Sequence, residues 1–174
     1  MASIFQDAKL TALSAYLPSL AIDRLEAYRQ VYEANRHRVY ALAFWMTDSE
    51  LAAEELMGDV FRRVFSRSVD NDPETVDRAL VAELREYMTI GPLTLHCGVS
   101  TDAPGVRRSA MRVHLERAVV QLPATERLVF LMHDVERCDH ARIARTLGIA
   151  EQESRVALHQ ARLKVRELLA DMVC

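Results

Sequence analysis

The 174 residues are 50% hydrophobic and 27% charged, which excludes a disordered or fibrous chain and allows one modest core or two small ones. A net charge of −3 excludes a uniformly polybasic binder of nucleic acid or membrane surfaces, although residues 1–102 are net acidic and residues 103–174 net basic. Five Gly, five Pro and many Ala, Leu, Arg and Glu exclude an all-β fold and predict an all-α protein of two helical modules.

The chain begins with two predicted helices. The first, Ser3 to Leu17, is expected to end at Pro18, because proline lacks the N–H that a helix interior needs. The second runs from about Ile22 to Met46, and its apolar side chains recur at helical spacing, so this seam must pack on another helix. The seam, which also includes the polar Asn35, consists of Tyr28, Tyr32, Val39, Leu42 and Met46.

Two start signals place the next helices. Thr47-Asp48-Ser49-Glu50 fits a capping box, so a helix begins there and runs to about Arg67, antiparallel to the preceding one. Asp72-Pro73-Glu74 supplies a cap, a first-turn proline and an acid near the positive helix end. A third helix is therefore expected to continue to about Met88.

A break separates the two modules. Gly91 to Gly105 holds three Gly and two Pro, which suits neither helix nor strand and predicts a linker. We expect an N-terminal extension at 1–20, a first module at 21–90, a linker at 91–108 and a second module at 109–174. The second module is predicted to be a four-helix unit with helices at Ser109–Gln121, Pro123–Val135, Asp139–Thr146 and Glu151 to about Met172.

The second module contains a helix-turn-helix pattern. Two helical segments flank Leu147-Gly148-Ile149, where glycine allows the left-handed backbone of a tight turn. The second helix of such a unit enters the major groove. Its predicted outer face is polar and basic, which fits DNA binding and equally fits a helix whose charges only keep it in solution. The candidate DNA-binding residues are Arg142, Gln152, Glu153, Arg155, Val156, His159 and Arg162.

Two stretches resemble bacterial RNA polymerase sigma factors of the small, extracytoplasmic-function type. Ala118 to Leu169 resembles the family's domain for the promoter −35 element, and Tyr28 to Phe65 resembles its core helical domain. In the stretch from Tyr28 to Phe65, the residues in register with the family are Ala53-Glu54-Glu55-Leu56 and Phe61. In the stretch from Ala118 to Leu169, the matching positions are Leu122-Pro123, Arg127, Ile143-Ala144, Leu147-Gly148-Ile149, Ala161-Arg162 and Arg166.

The resemblance implies a division of labour between the modules. In the family the first domain docks on a coiled coil of the largest polymerase subunit and opens the −10 element, and the second domain reads the −35 element. An acidic first module and a basic second one fit that division. The implied partners are core RNA polymerase, promoter DNA and an anti-sigma factor. The candidate polymerase contacts, which could equally form an ordinary exposed helix face, are Glu54, Glu55, Asp59 and Arg62.

The chain departs from the family at places that matter. Gly58 stands where the family has a docking Gln, and Arg78 and Arg85 are the only basic residues of a third helix that lacks the usual Trp, Asn and basic cluster for strand opening. Ala150 and Glu153-Ser154 replace residues that cap and fill the start of the recognition helix, which predicts a looser start. Two alternatives follow: a sigma-like interaction protein that does not melt promoters, and a dimeric stand-alone helix-turn-helix regulator.

Other functional classes have weaker support. No phosphate-binding glycine loop or nucleophile motif occurs, so we expect neither an enzyme nor a cofactor nor a small-molecule substrate. His96-Cys97 and the set His133, Cys138 and His140 lack zinc-ligand spacing, which argues against a metal. Trp45 is expected in a core or helix-pair contact rather than in base stacking. Without an apolar run of about 18–20 residues or a leader-like start, the expected location is the cytoplasm, with no membrane partner.

Overall fold

The computed structural model describes residues 3–67, 72–95 and 112–172, with side chains of the first segment from Ile22 to Ser66. Throughout these residues the regular structure is helical and no strand occurs, which confirms the all-α prediction. No helix in this part of the chain is both long enough and apolar enough to span a bilayer. The helices are α1 Ser3–Thr47, α2 Glu50–Arg67, α3 Pro73–Tyr87, α4 Arg112–Val120, α5 Ala124–Phe130, α6 His140–Leu147 and α7 Glu151–Met172, with a π-helical turn at Leu131–Val135.

Helices α1 to α3 form the N-terminal module. Tyr28 of α1 meets Phe65 of α2 at a ring-centroid distance of 4.6 Å, and Tyr32 meets Phe61 at 4.8 Å, so α1 and α2 are antiparallel as expected. In the predicted seam of α1 the two tyrosines are half-buried and the other residues are buried, and α3 packs on both α1 and α2. Asn35 lies within this seam because its amide nitrogen donates to the Val31 carbonyl at 2.9 Å, which satisfies a polar group that would otherwise be costly to bury.

Two boundaries at the ends of α1 differ from the prediction. The helix continues through Pro18 instead of ending there, since one proline removes a single N–H donor and can be accommodated by a bend. At the other end Thr47 belongs to α1, and its hydroxyl donates to the Ala43 carbonyl at 2.9 Å. The start of α2 is capped instead by Ser49, whose Oγ accepts from the Ala52 N–H at 3.4 Å. The predicted cap of α3 is correct, because Asp72 accepts from the Glu74 N–H at 3.1 Å.

Helices α4 to α7 form the C-terminal module, in which α4, α5 and α6 all pack on α7. Leu128, Ile143, Leu147 and Leu158 are almost completely buried between them. Each buried leucine or isoleucine side chain contributes roughly 1.5–3 kcal/mol through apolar surface removed from water. Four helices occur in the described part of this module, as predicted, although the second of them ends at Phe130 and continues as the π-helical turn.

The beginning of the predicted linker is bonded to the C-terminal module. The Gly91 N–H donates to Thr125 Oγ1 at 3.0 Å, and the N–H groups of Thr94 and Leu95 donate to Glu126 Oε1 at 2.6 and 2.7 Å. Residues 91–95 are non-helical, in agreement with the prediction, and 96–111 lie outside the described residues. Because Glu126 is completely buried, its carboxylate fixes this stretch of backbone to the start of α5.

Arg127 joins the two modules at the ends of two helices. Its guanidinium group donates to the Met46 carbonyl at 3.1 Å, near the end of α1, and to the Leu122 carbonyl at 2.8 Å. It also donates to the Val120 carbonyl at the end of α4. Helix carboxyl ends carry partial negative charge and attract a cation. Burial lowers the pKa of Arg127 from its ordinary value, and the charge of Asp48 opposes this shift.

Candidate nucleic-acid interface

The turn between α6 and α7 has the geometry that the sequence predicted. Asp139 caps α6 by accepting from the Arg142 N–H at 2.7 Å, and Gly148 ends the helix in the left-handed region, with φ of 67°. The Ile149 N–H then donates to the Ala144 carbonyl at 3.1 Å. These contacts satisfy free backbone groups at both ends of α6 and fix the direction in which α7 leaves the turn.

Helix α7 separates a buried face from an outer face. Leu158, Ala161 and Val165 are buried, as the helix-turn-helix pattern predicted. Six of the seven candidate DNA-binding residues lie on α7, and five of these are exposed whereas Val156 is half-buried. The exposed five are Gln152, Glu153, Arg155, His159 and Arg162.

The start of α7 is better ordered by local contacts than the sequence suggested. Glu153 Oε2 accepts from the Ala150 N–H at 2.7 Å, which is the reciprocal half of a capping box. Ser154 is fully buried, and its Oγ is 3.0 Å from His140 Nδ1. The prediction of a loosened start was therefore wrong, because a glutamate three residues after Ala150 and a serine facing α6 replace the missing interactions. The Glu153 spacing was a readable signal in the sequence.

Arginines of the candidate interface already have carboxylate partners. Arg155 pairs with Glu151 along α7, and both side chains are about half exposed. Arg162 donates to Asp134 of the π-helical turn through two nitrogens, at 2.6 and 3.0 Å. The hydrogen bond from Arg162 is the main cause that lowers the pKa of Asp134 below its ordinary value, against the opposing effect of burial. A DNA phosphate would have to exchange with these carboxylates.

Arg142 lies apart from the other candidates, at the contact between the modules. Its Nε donates to Asp77 Oδ2 of α3 at 3.0 Å, and a second nitrogen of the same group also bonds to this oxygen. The other oxygen of Asp77 accepts from Arg38 of α1. Asp77 is only 1% exposed. The structure therefore brings Arg142 to α3 and not to the outer face of α7.

Two histidines adjoin this region without forming a metal site. The rings of His133 and His140 stack with centroids 4.6 Å apart, and His133 Nδ1 is 2.9 Å from Asp134 Oδ1. Burial and the neighbouring His133 lower the pKa of His140. Burial likewise raises the pKa of the nearby Cys138 thiol. In the described part of the chain, no group of three or more His, Cys, Asp or Glu side chains is arranged to hold a metal ion.

The candidate polymerase contacts share one face of α2. Glu54, Glu55 and Arg62 are exposed, and Asp59 pairs with Arg62 at 2.5 Å. Gly58 lies among them, and a side-chain carbon added there would meet nothing within 4 Å. A glutamine would therefore fit at this position, so steric exclusion does not explain the glycine.

Two further regions bear on the sequence analysis. On α3, Arg78 is exposed, but Arg85 donates to the Leu147 carbonyl at 2.7 Å and thus contacts the C-terminal module. Trp45 is half-buried and contacts Phe44 edge to face, with ring centroids 6.4 Å apart. Both rings line a cleft of about 640 Å³ between α1 and α4. Trp45 also packs against the hydrophobic core, which agrees with the core or helix contact expected from the sequence.

Comparison with known proteins identifies the C-terminal module. The family model for sigma-70 region 4 matches residues 105–165. The C-terminal module is therefore similar to sigma-70 region 4. A match over the larger part of the chain comes from the sigma factor RpoE of Bartonella quintana, solved in complex with the anti-sigma factor NepR. The two chains are 15% identical and superpose with a TM-score of 0.61, over 82% of this chain and 96% of RpoE.

These findings agree with the resemblance seen in the sequence. The family match over residues 105–165 and the fold shared with a sigma factor support that resemblance. A search of curated proteins found no match. The region 4 match begins within residues that the structure does not describe and ends inside α7, so it includes the whole turn around Gly148.

Proposed function

We propose that the chain is a transcription initiation factor that binds core RNA polymerase through residues 21–90 and promoter DNA through residues 109–174. It works in the cytoplasm as a recognition protein, without catalysis and without a cofactor. The observation that carries this proposal is the helix-turn-helix of the C-terminal module, with an exposed polar face on its second helix. A helix presented in this way fits the major groove of B-form DNA.

The outer face of α7 divides into two kinds of DNA contact. Gln152 and His159 are exposed and can reach base edges, where a glutamine amide suits adenine. Arg155 and Arg162 are exposed and suit phosphates once they exchange their carboxylate partners. Glu153 accepts from the Ala150 N–H, so a contact with cytosine would compete with the helix cap. Val156 is half-buried and supports packing more than base recognition.

The polymerase contact is assigned to the exposed face of α2. Glu54 and Glu55 project acidic groups that are complementary to a basic docking surface. Asp59 and Arg62 neutralise each other, so they contribute less net charge to long-range attraction. The acidic pair at 54 and 55 is therefore the centre of the proposed contact.

A second candidate is a sigma-like protein that binds an anti-sigma factor or polymerase without opening promoters. The observation that favours it is that the candidate DNA-binding arginines Arg142, Arg155 and Arg162 all form ion pairs, which lowers the free positive charge available to phosphates. A third helix with few basic residues also fits this candidate, because single-stranded DNA binding relies on cations and stacking aromatics.

Co-purification with core RNA polymerase, followed by promoter-dependent transcription in vitro, tests the proposal. The chain is expected to bind polymerase and to yield transcripts. Replacement of Glu54 and Glu55 by Lys should abolish polymerase binding, whereas Gln152→Ala with His159→Ala should spare it and reduce promoter use. Polymerase binding without any transcript would favour the sigma-like interaction protein. Absence of polymerase binding, together with a stable dimer, would point to the stand-alone regulator.

A further inference from the structure

The cleft between α1 and α4 is lined mainly by apolar side chains. It encloses about 640 Å³, and Tyr40, Phe44 and Trp45 line it from α1. Val113 and Val120 line it from α4, and Val113 is 44% exposed. Small-molecule sites are mostly apolar clefts of roughly 300–1,000 Å³ that often lie between domains. The size, the lining and the position of this cleft therefore fit a small organic ligand.

The aromatic rings of α1 offer surfaces in two orientations. The Tyr40 and Phe44 rings are nearly parallel, with 14° between their planes and 6.4 Å between their centroids. The Phe44 and Trp45 rings have the same centroid separation but meet edge to face, at 72°. All three side chains are half-buried, so each keeps part of its ring accessible. Aromatic groups favour both offset stacking and edge-to-face contacts, so a planar aromatic ligand can make both kinds in this cleft.

The charged side chains around the cleft leave one cation without a carboxylate partner among the described residues. Glu116 pairs with Arg112 at 2.7 Å, within α4. Asp48 lies near Arg127, because burial lowers the pKa of Arg127 and the charge of Asp48 opposes this shift. Arg117 remains, and its side chain is exposed. Arginine binds carboxylates and phosphates through its planar group of N–H donors, so an oxyanion on the ligand has a donor here.

We propose that the cleft between α1 and α4 binds a planar aromatic molecule that carries an oxyanion, such as a carboxylate or phosphate group. The rings of α1 contact its aromatic part, and Arg117 binds its anion. No reaction of the ligand is assigned. Because α1 and α4 belong to different modules, the ligand contacts both of them. The site uses neither the proposed polymerase contact on α2 nor the proposed DNA contact on α7, so its test is independent of the proposed function.

Two fluorescent probes that differ in charge test the site in the full chain. Anilinonaphthalenesulfonate is an aromatic anion, and N-phenylnaphthylamine has a closely similar ring system without the charge. Both probes fluoresce more strongly when an apolar site shields them from water, so titration with the protein gives an affinity for each. The chain contains one tryptophan, and Trp45 lines the cleft, so quenching of its emission reports a probe bound nearby.

Three variants separate the anion contact from the apolar cleft. Arg117→Gln removes the proposed donor, Ala41→Phe fills the cleft from α1, and Arg166→Gln is the matched control, because Arg166 is exposed on α7 and does not line the cleft. Circular dichroism checks that each variant folds. If Ala41→Phe does not fold, Arg117→Gln decides the outcome, because that position is exposed.

The two cleft variants should affect the probes differently. Arg117→Gln is expected to weaken binding of the anionic probe about fivefold and to leave the neutral probe unchanged, because only an exposed ion pair is lost. Ala41→Phe should weaken binding of both probes more than about tenfold, because the added ring occupies their volume. Arg166→Gln should bind both probes as the wild type does.

Competition with unlabelled carboxylates distinguishes an aromatic ligand from an acyl chain. Naphthoate should displace the anionic probe at lower concentration than dodecanoate, since both carry a carboxylate but only naphthoate has planar rings. Stronger displacement by dodecanoate would overturn the aromatic class of ligand.

Three other results would also overturn the proposal. Equal weakening of both probes by Arg117→Gln would remove the anion contact. Undiminished binding to a folded Ala41→Phe variant, or Trp45 emission that does not change on binding, would place the probes outside the cleft. Absence of probe binding to the wild type would remove the site itself. The binding of polymerase and of DNA is unaffected by any of these results.

Discussion

The polar contacts of the α3–α6 junction and those of the outer face of α7 use the same residue types in different surroundings. Asp77 is 1% exposed between Arg38 and Arg142, whereas the Arg155 and Glu151 side chains are 54% and 48% exposed. A buried pair cannot lose one member without leaving an uncompensated charge, but an exposed pair gives up little when it separates. Arginine pairing therefore holds the modules together at the α3–α6 junction, whereas the exposed pair on α7 can separate at little cost.

The largest effect is expected from Asp77→Ala. Removal of the shared carboxylate leaves two partly buried guanidinium groups without their partner, so the free energy of unfolding should fall by about 3 kcal/mol. Urea denaturation followed by circular dichroism measures the change. Asp171→Ala, which removes an exposed carboxylate from α7, is the control. A loss under about 0.5 kcal/mol would mean that the buried and exposed pairs do not differ in the way described.

A buried neutral contact should have an intermediate effect. Ser154→Ala removes the hydroxyl that bonds to His140 between α7 and α6, and the free energy of unfolding should fall by about 1 kcal/mol. Thermal denaturation near pH 7 checks this value. Ser66→Ala removes an exposed hydroxyl that bonds within its own helix and should change stability much less. Equal effects of the two variants would contradict the role assigned to Ser154.

The Asp134–Arg162 pair predicts a dependence of stability on pH. The pKa of Asp134 is lowered mainly by the hydrogen bond from Arg162. The folded protein therefore binds a proton at Asp134 less readily than the unfolded chain does. The resulting stability is present above the ordinary aspartate pKa and is lost as the pH falls through the lowered one. Asp134→Asn should therefore flatten the acid side of the stability curve in a urea series at different pH values. An unchanged acid slope would exclude this contribution.

The smallest effect on stability is expected from Arg155→Ala. The pair with Glu151 is exposed and lies within one helix, so the free energy of unfolding should change by less than about 0.5 kcal/mol. Duplex affinity at low salt should fall, and its dependence on salt concentration should become shallower, because one phosphate contact is lost. Thermal denaturation and anisotropy titrations give the two quantities. A large loss of stability with unchanged duplex affinity would mean that Arg155 on the outer face of α7 stabilises the fold and does not bind DNA.

Local signals in the sequence predicted much of the fold. Asp72-Pro73 starts α3, Gly148 ends α6 in the left-handed region, and Glu151–Met172 forms α7, because caps, glycine and periodicity act over a few residues. Two possible capping residues that lie close together in the sequence are harder to tell apart, and Ser49 rather than Thr47 caps α2. Similarly, nothing local distinguishes one continuous helix from two helices at Pro18.

The ion-pair partners of the charged residues could not be predicted from the local sequence pattern. The outer face of α7 could be assigned from helical spacing alone, but Arg142 meets Asp77 across 65 positions of the chain. Nothing in the spacing of the sequence indicates which carboxylate such an arginine will find, because that depends on how the two modules pack. The same holds for Asp134, which reaches Arg162 from a π-helical turn that periodicity did not predict.

Arg127 is a single side chain that bonds to both modules. Its guanidinium group donates to the Met46 carbonyl of α1 and to the Val120 and Leu122 carbonyls at the connection between α4 and α5. Loss of this one side chain would leave main-chain acceptors at two helix ends without a donor, so a single substitution at position 127 would weaken the N-terminal and the C-terminal module at once.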